Sequence, residues 1–272
     1  MKRILGFLSW HKRRKKVFRA DILECLEADL NAQEPDHLML GGDLTNLGME
    51  QEFIRAKSWI ERQKYSETTC LIPGNHEAYG REFELYMERH WKDWIPGGTF
   101  PFVRKFGPVA VVGVSSAIRT PPFMAVGRVG EAQCLELRTH LAELGRQGLW
   151  RVVMVHHPPQ QGACAARRAL LDGGTFRSAI AQSGAELILH GHTHHAHEAE
   201  LQGAEREVPV LGVAAASSGG GNGHLPPAEY LLIDAPENGA FIHWHRRRFQ
   251  PESSRFETVA EGRRNRGGGN SG

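Results

Sequence analysis

The residues of this chain best able to do chemistry sit in four short polar clusters, each closing an apolar run. Gly42-Asp43 follows Leu38-Met39-Leu40, and Pro73-Gly74-Asn75-His76-Glu77 follows Thr68 to Ile72. His156-His157-Pro158-Pro159 follows Val152 to Val155, and His190-Gly191-His192-Thr193-His194 follows Leu187-Ile188-Leu189. Neutral imidazole is the commonest metal ligand. Gly191 frees the backbone to turn the flanking rings toward one point. One carboxylate, one carboxamide and several imidazoles, without sulfur, suit Mn, Fe or Zn better than Ca or Mg alone. There are more candidates than one tetrahedral site needs, which points to two ions. A pair of ions about 3.5–4 Å apart lowers the pKa of a bridging water and clamps both oxygens of a phosphoryl displacement. A carboxylate, with two oxygens and a charge, is the natural bridge between the ions. Each cluster alone is ordinary turn chemistry; the signal is their spaced order.

The elements needed to position these clusters can be read from periodicity. Apolar residues recur with helical spacing from Val17 to Leu30, over 50–63, near Arg81 to Trp91, over 131–146 and from Thr175 to Ser183. Between them lie short apolar or β-branched runs at 37–40, 68–72, 100–106, 109–114, 152–155 and 186–190. Beyond Glu198 strands dominate, at 208–213 and in the pair 230–234 and 240–245, joined by the turn Ala235-Pro236-Glu237-Asn238-Gly239. Helix and strand alternate first and strands follow, so the expected fold is α/β to α+β, a mixed sheet system with helices outside. In open α/β sheets ligands bind at the carboxyl ends of strands. All four clusters end strands, so they are expected to converge. The expected organisation is a basic N-terminal segment over 1–16, one domain over 17–250, and a disordered glycine-rich tail over 251–272.

Composition narrows the function classes. The 272 residues hold 40% hydrophobic and 24% charged side chains, ordinary for a globular protein with a real core. The net charge of +2 is uneven: seven of the 33 Lys and Arg lie in residues 1–16, which hold no acid, leaving 26 bases against 31 acids in the rest. An acidic body argues against a specific nucleic-acid partner, because phosphate affinity needs a basic face. The run Lys12-Arg13-Arg14-Lys15-Lys16 is read as solvated surface, able at most to touch an anionic surface weakly. Cys25, Cys70, Cys134 and Cys164 form no C-x-x-C pair, and no apolar run reaches membrane-span length. The chain is therefore expected to be cytoplasmic, with no oligomeric state legible.

In sequence order, G-D, G-N-H-E, H-H-P-P and G-H-T-H resemble the motifs of the calcineurin-like metallophosphoesterase superfamily. The likeness is greatest to its bacterial branch of class III cyclic-nucleotide phosphodiesterases and glycerophosphodiesterases, and runs from about residue 17 to 245. The resemblance implies a four-layer α-β-β-α sandwich of two mixed sheets around a dinuclear centre. By matching motifs it implies Asp43 as bridging ligand, Asn75, His156 and His192 as further ligands of one ion, and His194 as a ligand of the second. It implies His76 as the histidine that contacts phosphate and assists the leaving group. His157, His190, His195 and His197 are left as structural or surface residues.

The family pattern also opens with a strand carrying D-x-H, which this sequence does not match; Ser9-Trp10-His11 has serine in place of the aspartate. The expectation is that the coding sequence starts upstream, and that the sequence as given binds close to one ion, turns over poorly and leaves the 38–40 strand with an open edge. The leading expectation is a phosphoesterase that hydrolyses a small phosphomonoester or phosphodiester by attack of a metal-bound hydroxide. The alternative is a weakly active or non-catalytic relative that binds a phosphate ligand. Substrate choice is expected from the loops Arg119–Arg128 and Gln160–Gly174, with Arg119, Arg128, Arg167 and Arg168 as possible phosphate contacts.

Overall fold

The computed structural model describes residues 2–9, 17–221 and 225–266. Trp10, His11 and the basic run 12–16 lie outside the described residues, as do 267–272.

The apolar runs become a six-stranded mixed sheet. Its strands are β3 (Phe102–Phe106), β4 (Val109–Val114), β5 (Trp150–Val155), β6 (Leu187–His190), β7 (His197–Leu201) and β8 (Val208–Gly212), in the order β3-β4-β5-β6-β8-β7. The middle four, β4, β5, β6 and β8, run parallel, and the antiparallel β3 and β7 close the edges. Parallel strands need both faces covered, which explains why β4 and β5 read as unbroken apolar runs rather than alternating ones. On one face pack the helices Glu131–Arg146 and Gly173–Ser183. They bury Leu137, Leu141, Phe176 and Ile180 against Val112, Val153, Val155 and Ile188.

The opposite face packs on a second β layer. β1 (Met39–Leu40) pairs in parallel with β2 (Cys70–Leu71), and β11 (Glu229–Asp234), β12 (Phe241–Gln250) and β13 (Arg255–Asn265) form an antiparallel sheet. Leu71, Ile72, Trp150, Val152, Met154, Leu187 and Ile242 meet in the core between the layers. Helix Ala20–Gln33 covers the outer side, packing Ile22, Leu26 and Leu30 on Ala228, Phe249 and Phe256. Helices Glu50–Glu61 and Phe83–Trp91 add Phe53, Met87 and Trp91 to the core between the layers. Helix, sheet, sheet, helix is the expected order of layers. Among the described residues the second layer is two separately paired pieces, because no described strand joins β1 to β11. Two further short strands, β9 (Gly219–Gly221) and β10 (Leu225–Pro227), pair with each other.

Two expectations need correction. The tail expected to be disordered over 251–272 contains β13, which pairs with β12 from Gln250↔Arg255 to Phe241↔Asn265. Its polar sequence concealed it, since only Phe256 and Arg264 are buried along it. Gly262, inside that stretch, lies under Trp244, where a Cβ would come within 2.4 Å of the indole. The N-terminal segment, set apart from the domain expected over 17–250, packs on that domain through residues 2–9. Helix Lys2–Ser9 is tied to the loop after β1 by Arg3, which donates to the carbonyls of Leu47 (3.2 Å) and Gly48 (2.7 Å).

The root of β5 is fixed by a largely buried ion pair. Glu186 accepts two bonds from the Arg151 guanidinium (2.7 and 2.9 Å) and one from its backbone N–H (2.8 Å). The same guanidinium donates to the carbonyls of Leu141 and Ser183, gathering both covering helices onto the strand. Removing one partner of such a pair leaves an uncompensated charge, at a cost of about 3–5 kcal/mol. Glu186→Ala is expected to lose stability on that scale in urea unfolding. A loss below about 1 kcal/mol would show that the pair does not anchor β5.

Candidate metal centre

The four polar clusters converge where the carboxyl ends of β1, β2, β5 and β6 meet, two strands from each layer. Local backbone chemistry makes this approach possible. Gly42 has φ 93° and its Cα faces the Pro73–Gly74 peptide, where a Cβ would lie 2.5 Å from Gly74 N. Gly74 in turn faces Asp43, and a Cβ there would fall 2.2 Å from Oδ1. Asp43, His192 and His194 all adopt left-handed φ values of 58°, 65° and 61°. Such residues cost of order 1–3 kcal/mol each and persist where the surroundings impose them, typically at functional sites.

At the centre, Asp43, His156 and His192 each offer one ligand atom, all within 4.8 Å of one another. His156 Nδ1 lies 2.8 Å from Gly41 O, so it must carry the proton and donate. The Nε2 lone pair then faces Asp43 Oδ2 at 3.3 Å, two electron-rich atoms in a buried site. His192 repeats the arrangement: Nδ1 is 2.7 Å from the carboxamide oxygen of Asn75, again as donor. Both Nε2 atoms are buried without a hydrogen-bond partner. Buried polar atoms are rarely left so, and histidines that ligate metals characteristically donate their other N–H to a carbonyl. The residues present fit a metal ion.

The electrostatics agree. Burial alone would raise the Asp43 carboxyl, but the facing imidazoles of His156 and His76 and the His76 N–H bond (2.9 Å) hold it well below the usual range. Burial would lower His156, yet Asp43 outweighs it and the ring is held above its ordinary value. His192 is pushed far down by burial and by the neighbouring rings of His157 and His156, so it stays neutral and able to ligate.

Of the six site residues expected from sequence, the structure brings Asp43, His156 and His192 into one group, with Asn75 touching it through His192. His76 is adjacent: its N–H binds Asp43, its Nδ1 donates to Asn46 O at 2.6 Å, and its ring stacks on Tyr79 at 4.8 Å. His194 stands outside the group of three, with its ring edge-on to Phe18 at 5.7 Å. His157 and His190 are satisfied at both nitrogens. His157 meets Ser116 Oγ and Ala125 O, and His190 meets Gly191 O and Gln160. Burial lowers them to about 3 and about 4, as neutral structural rings.

Three residues, Arg168 among them, have roles here that sequence reasoning did not assign. Glu77, fully buried, accepts backbone N–H bonds from Asp43 (2.9 Å), Thr45 (2.8 Å) and Gly74 (2.7 Å), stapling the loops after β1 and β2 together. Burial and the Asp43 charge raise its carboxyl to about 7 against those bonds. Its place in G-N-H-E was the available signal. Lys2 stands 4.4 Å over the Tyr79 ring and donates to Thr120 Oγ1 and Met124 O. Burial lowers it to about 8, against the pull of Asp43. Arg168 donates to His192 O at 2.6 Å and so holds the ligand loop. Arg128, by contrast, lines a separate cavity of about 640 Å³ that none of the centre's residues touches.

Fold and centre together define a hydrolase of phosphoester bonds: the chain belongs to the calcineurin-like phosphoesterase family, whose model matches residues 10–196. More particularly, it is 27% identical over 225 residues, 79% of each chain, to a probable cyclic nucleotide phosphodiesterase from a Synechococcus strain. The crystal structure of a dimetal phosphatase from Danio rerio shares the fold with a TM-score of 0.63 at 12% identity, covering 89% of this chain and 88% of that one. No helix among the described residues is long and apolar enough to cross a membrane.

Gly74→Ala provides a direct test of the close approach. The added methyl overlaps Asp43 and the His156 ring, which lies 2.7 Å from the built Cβ. Turnover is expected to fall at least about 100-fold, as misplacement near 1 Å can cost that much. Retained activity would mean that the two loops are free to separate.

Proposed function

We propose that this phosphoesterase is metal-dependent and acts on small phosphodiesters, with Asp43, His156 and His192 as the protein's hold on the ion. The observation that carries this reading is that Asp43, His156 and His192 offer ligand atoms within 4.8 Å of one another while the Nε2 of both imidazoles is buried without a hydrogen-bond partner. Imidazole and carboxylate together favour Mn, Fe or Zn. An ion held there would polarise a phosphoryl oxygen and bring the pKa of a coordinated water toward neutrality. The chain's own residues do the rest. Gly41 O and Asn75 fix the tautomers of the two imidazoles, Glu77 holds the Asp43 loop, and the low carboxyl pKa keeps Asp43 charged. His76, with Nδ1 committed to Asn46 O, would pass a proton to the leaving oxygen through Nε2. The relative named as a cyclic nucleotide phosphodiesterase supports diesters, so cyclic nucleotides come first in a substrate screen.

A second reading, a weakly active protein that holds a single ion, is favoured by one observation: among the described residues the centre gathers a single group of three, Asp43, His156 and His192, enough to hold one ion. Metal analysis of the Mn-loaded protein separates the two. Two ions per chain support a dinuclear centre bridged by Asp43, and one supports the second reading.

Hydrolysis of bis-(p-nitrophenyl) phosphate with added Mn tests the activity. Asp43→Asn is expected to abolish both turnover and bound metal while leaving the circular dichroism unchanged. Normal turnover in that variant would remove Asp43 from the centre. His76→Ala is expected to keep its metal and lose about 10²–10⁴-fold in rate on substrates with poor leaving groups, the usual range for a general acid. On p-nitrophenyl esters, whose leaving group needs little protonation, the loss should be much smaller. Equal losses on both would count against proton transfer by His76.

A further inference from the structure

A second group of imidazoles and carboxylates lies on the antiparallel sheet, on residues the proposed phosphoesterase centre does not use. His243 and His245 alternate along β12 and so project from the same face, while their neighbours Ile242 and Trp244 pack toward the core. Asp234 of β11 is the register partner of His243, and Glu261 of β13 is the register partner of His245. Directly paired residues share a face, so all four side chains meet on it. The two rings stand 4.1 Å apart, and ligand atoms of Asp234, His243 and His245 lie within 4.8 Å of one another. His245 Nε2 is 3.4 Å from Asp234 Oδ2, while Glu261 Oε2 is 3.4 Å from His245 Nδ1 and 3.6 Å from His243 Nε2.

We propose that Asp234, His243 and His245 form a zinc site that ties β11 to β12, with Glu261 of β13 orienting His245. Four arguments support it. Donors bonded to one tetrahedral Zn at about 2.0–2.1 Å stand about 3.4 Å apart, the separation between His245 Nε2 and Asp234 Oδ2. Two imidazoles in the set select a borderline transition metal over Ca or Mg. A carboxylate beside Nδ1 is the partner that directs a ligating imidazole's Nε2 outward, and Glu261 holds that place. Arg263, the register partner of His243 on β13, shares this face, but its guanidinium lies 3.8 Å over the Phe241 ring and its Nε donates to Asn265 Oδ1 at 2.9 Å. The group therefore has two carboxylates, and the cation paired across from His243 is engaged with Phe241 and Asn265 instead. Asp234 of β11 and His243 and His245 of β12 would hold the ion, so it would cross-link those two strands directly, with β13 joined through Glu261.

The test uses the full chain stripped with a chelator and titrated with zinc chloride. The parent should bind one more zinc per chain than the His243→Ala/His245→Ala double variant, and its melting temperature should rise more with zinc. Equal stoichiometry in the two would overturn the proposal and leave surface ion pairs as the whole content of the group. A measurement on the parent alone guards against a variant that fails to fold. Zinc should protect His243 and His245 from carbethoxylation by diethyl pyrocarbonate, read by peptide mass, and unchanged labelling of both would also overturn it. The double variant should keep the parent's Mn-dependent hydrolysis. Collapse of that activity in a folded variant would place the two histidines in the phosphoesterase centre and overturn a separate site, whereas absence of phosphoesterase activity in the parent would leave the zinc counts as decisive as before.

Discussion

The protein is organised around an unfavourable contact. A carboxylate at the end of one β layer and the bare nitrogen of an imidazole at the end of the other are held 3.3 Å apart and out of water. Two lone pairs facing each other in a buried site repel, and only a cation between them makes the contact favourable. The upward shift of the His156 imidazole expresses the same need when the cation is a proton. Much of the surrounding structure serves to keep the contact in place. Gly41 O fixes the imidazole, Glu77 fixes the carboxylate's loop, and the mutual contact of Gly42 and Gly74 sets the spacing between β1 and β2.

Four buried histidines lie within a few residues of this contact, and hydrogen bonding separates them into two kinds. His157 and His190 have both ring nitrogens satisfied within the protein and are depressed as neutral core residues. His156 and His192 have one nitrogen satisfied and the other left over. The distinction rests on which carbonyls and hydroxyls each ring meets. It is invisible in residue type, since His156 and His157 are adjacent in sequence.

The approach to the centre is cationic through contacts from distant parts of the chain. Lys2 comes from the first helix to Tyr79 and the loop at Thr120 and Met124, and Arg168 braces the His192 loop from the far side of β6. Positive charge can in this way stand where an anionic phosphoester would enter although the chain's net charge is only +2, because local placement rather than net charge sets the field in a cleft.

The sequence by itself determined the strands, the helices and the order of the four motifs. Apolar runs bounded by glycine and proline mark β4, β5, β6 and the hairpin between β11 and β12, since a buried strand must be apolar and a turn must permit its φ. The same logic singled out Asp43, Asn75, His156 and His192, residue types rarely placed at the ends of apolar strands for packing alone. Tertiary structure decided what periodicity cannot carry. β13 is polar along most of its length because one side faces solvent, so its existence follows only from hydrogen bonding to β12. The place of Glu77 follows from three backbone N–H groups that come together only when two loops pack. The separation of His194 from His192, two residues away, follows from successive left-handed turns of the backbone. The meeting of Asp234, His243, His245 and Glu261 follows from strand register, because pairing across a sheet depends on which backbone groups bond and is not written in any one strand.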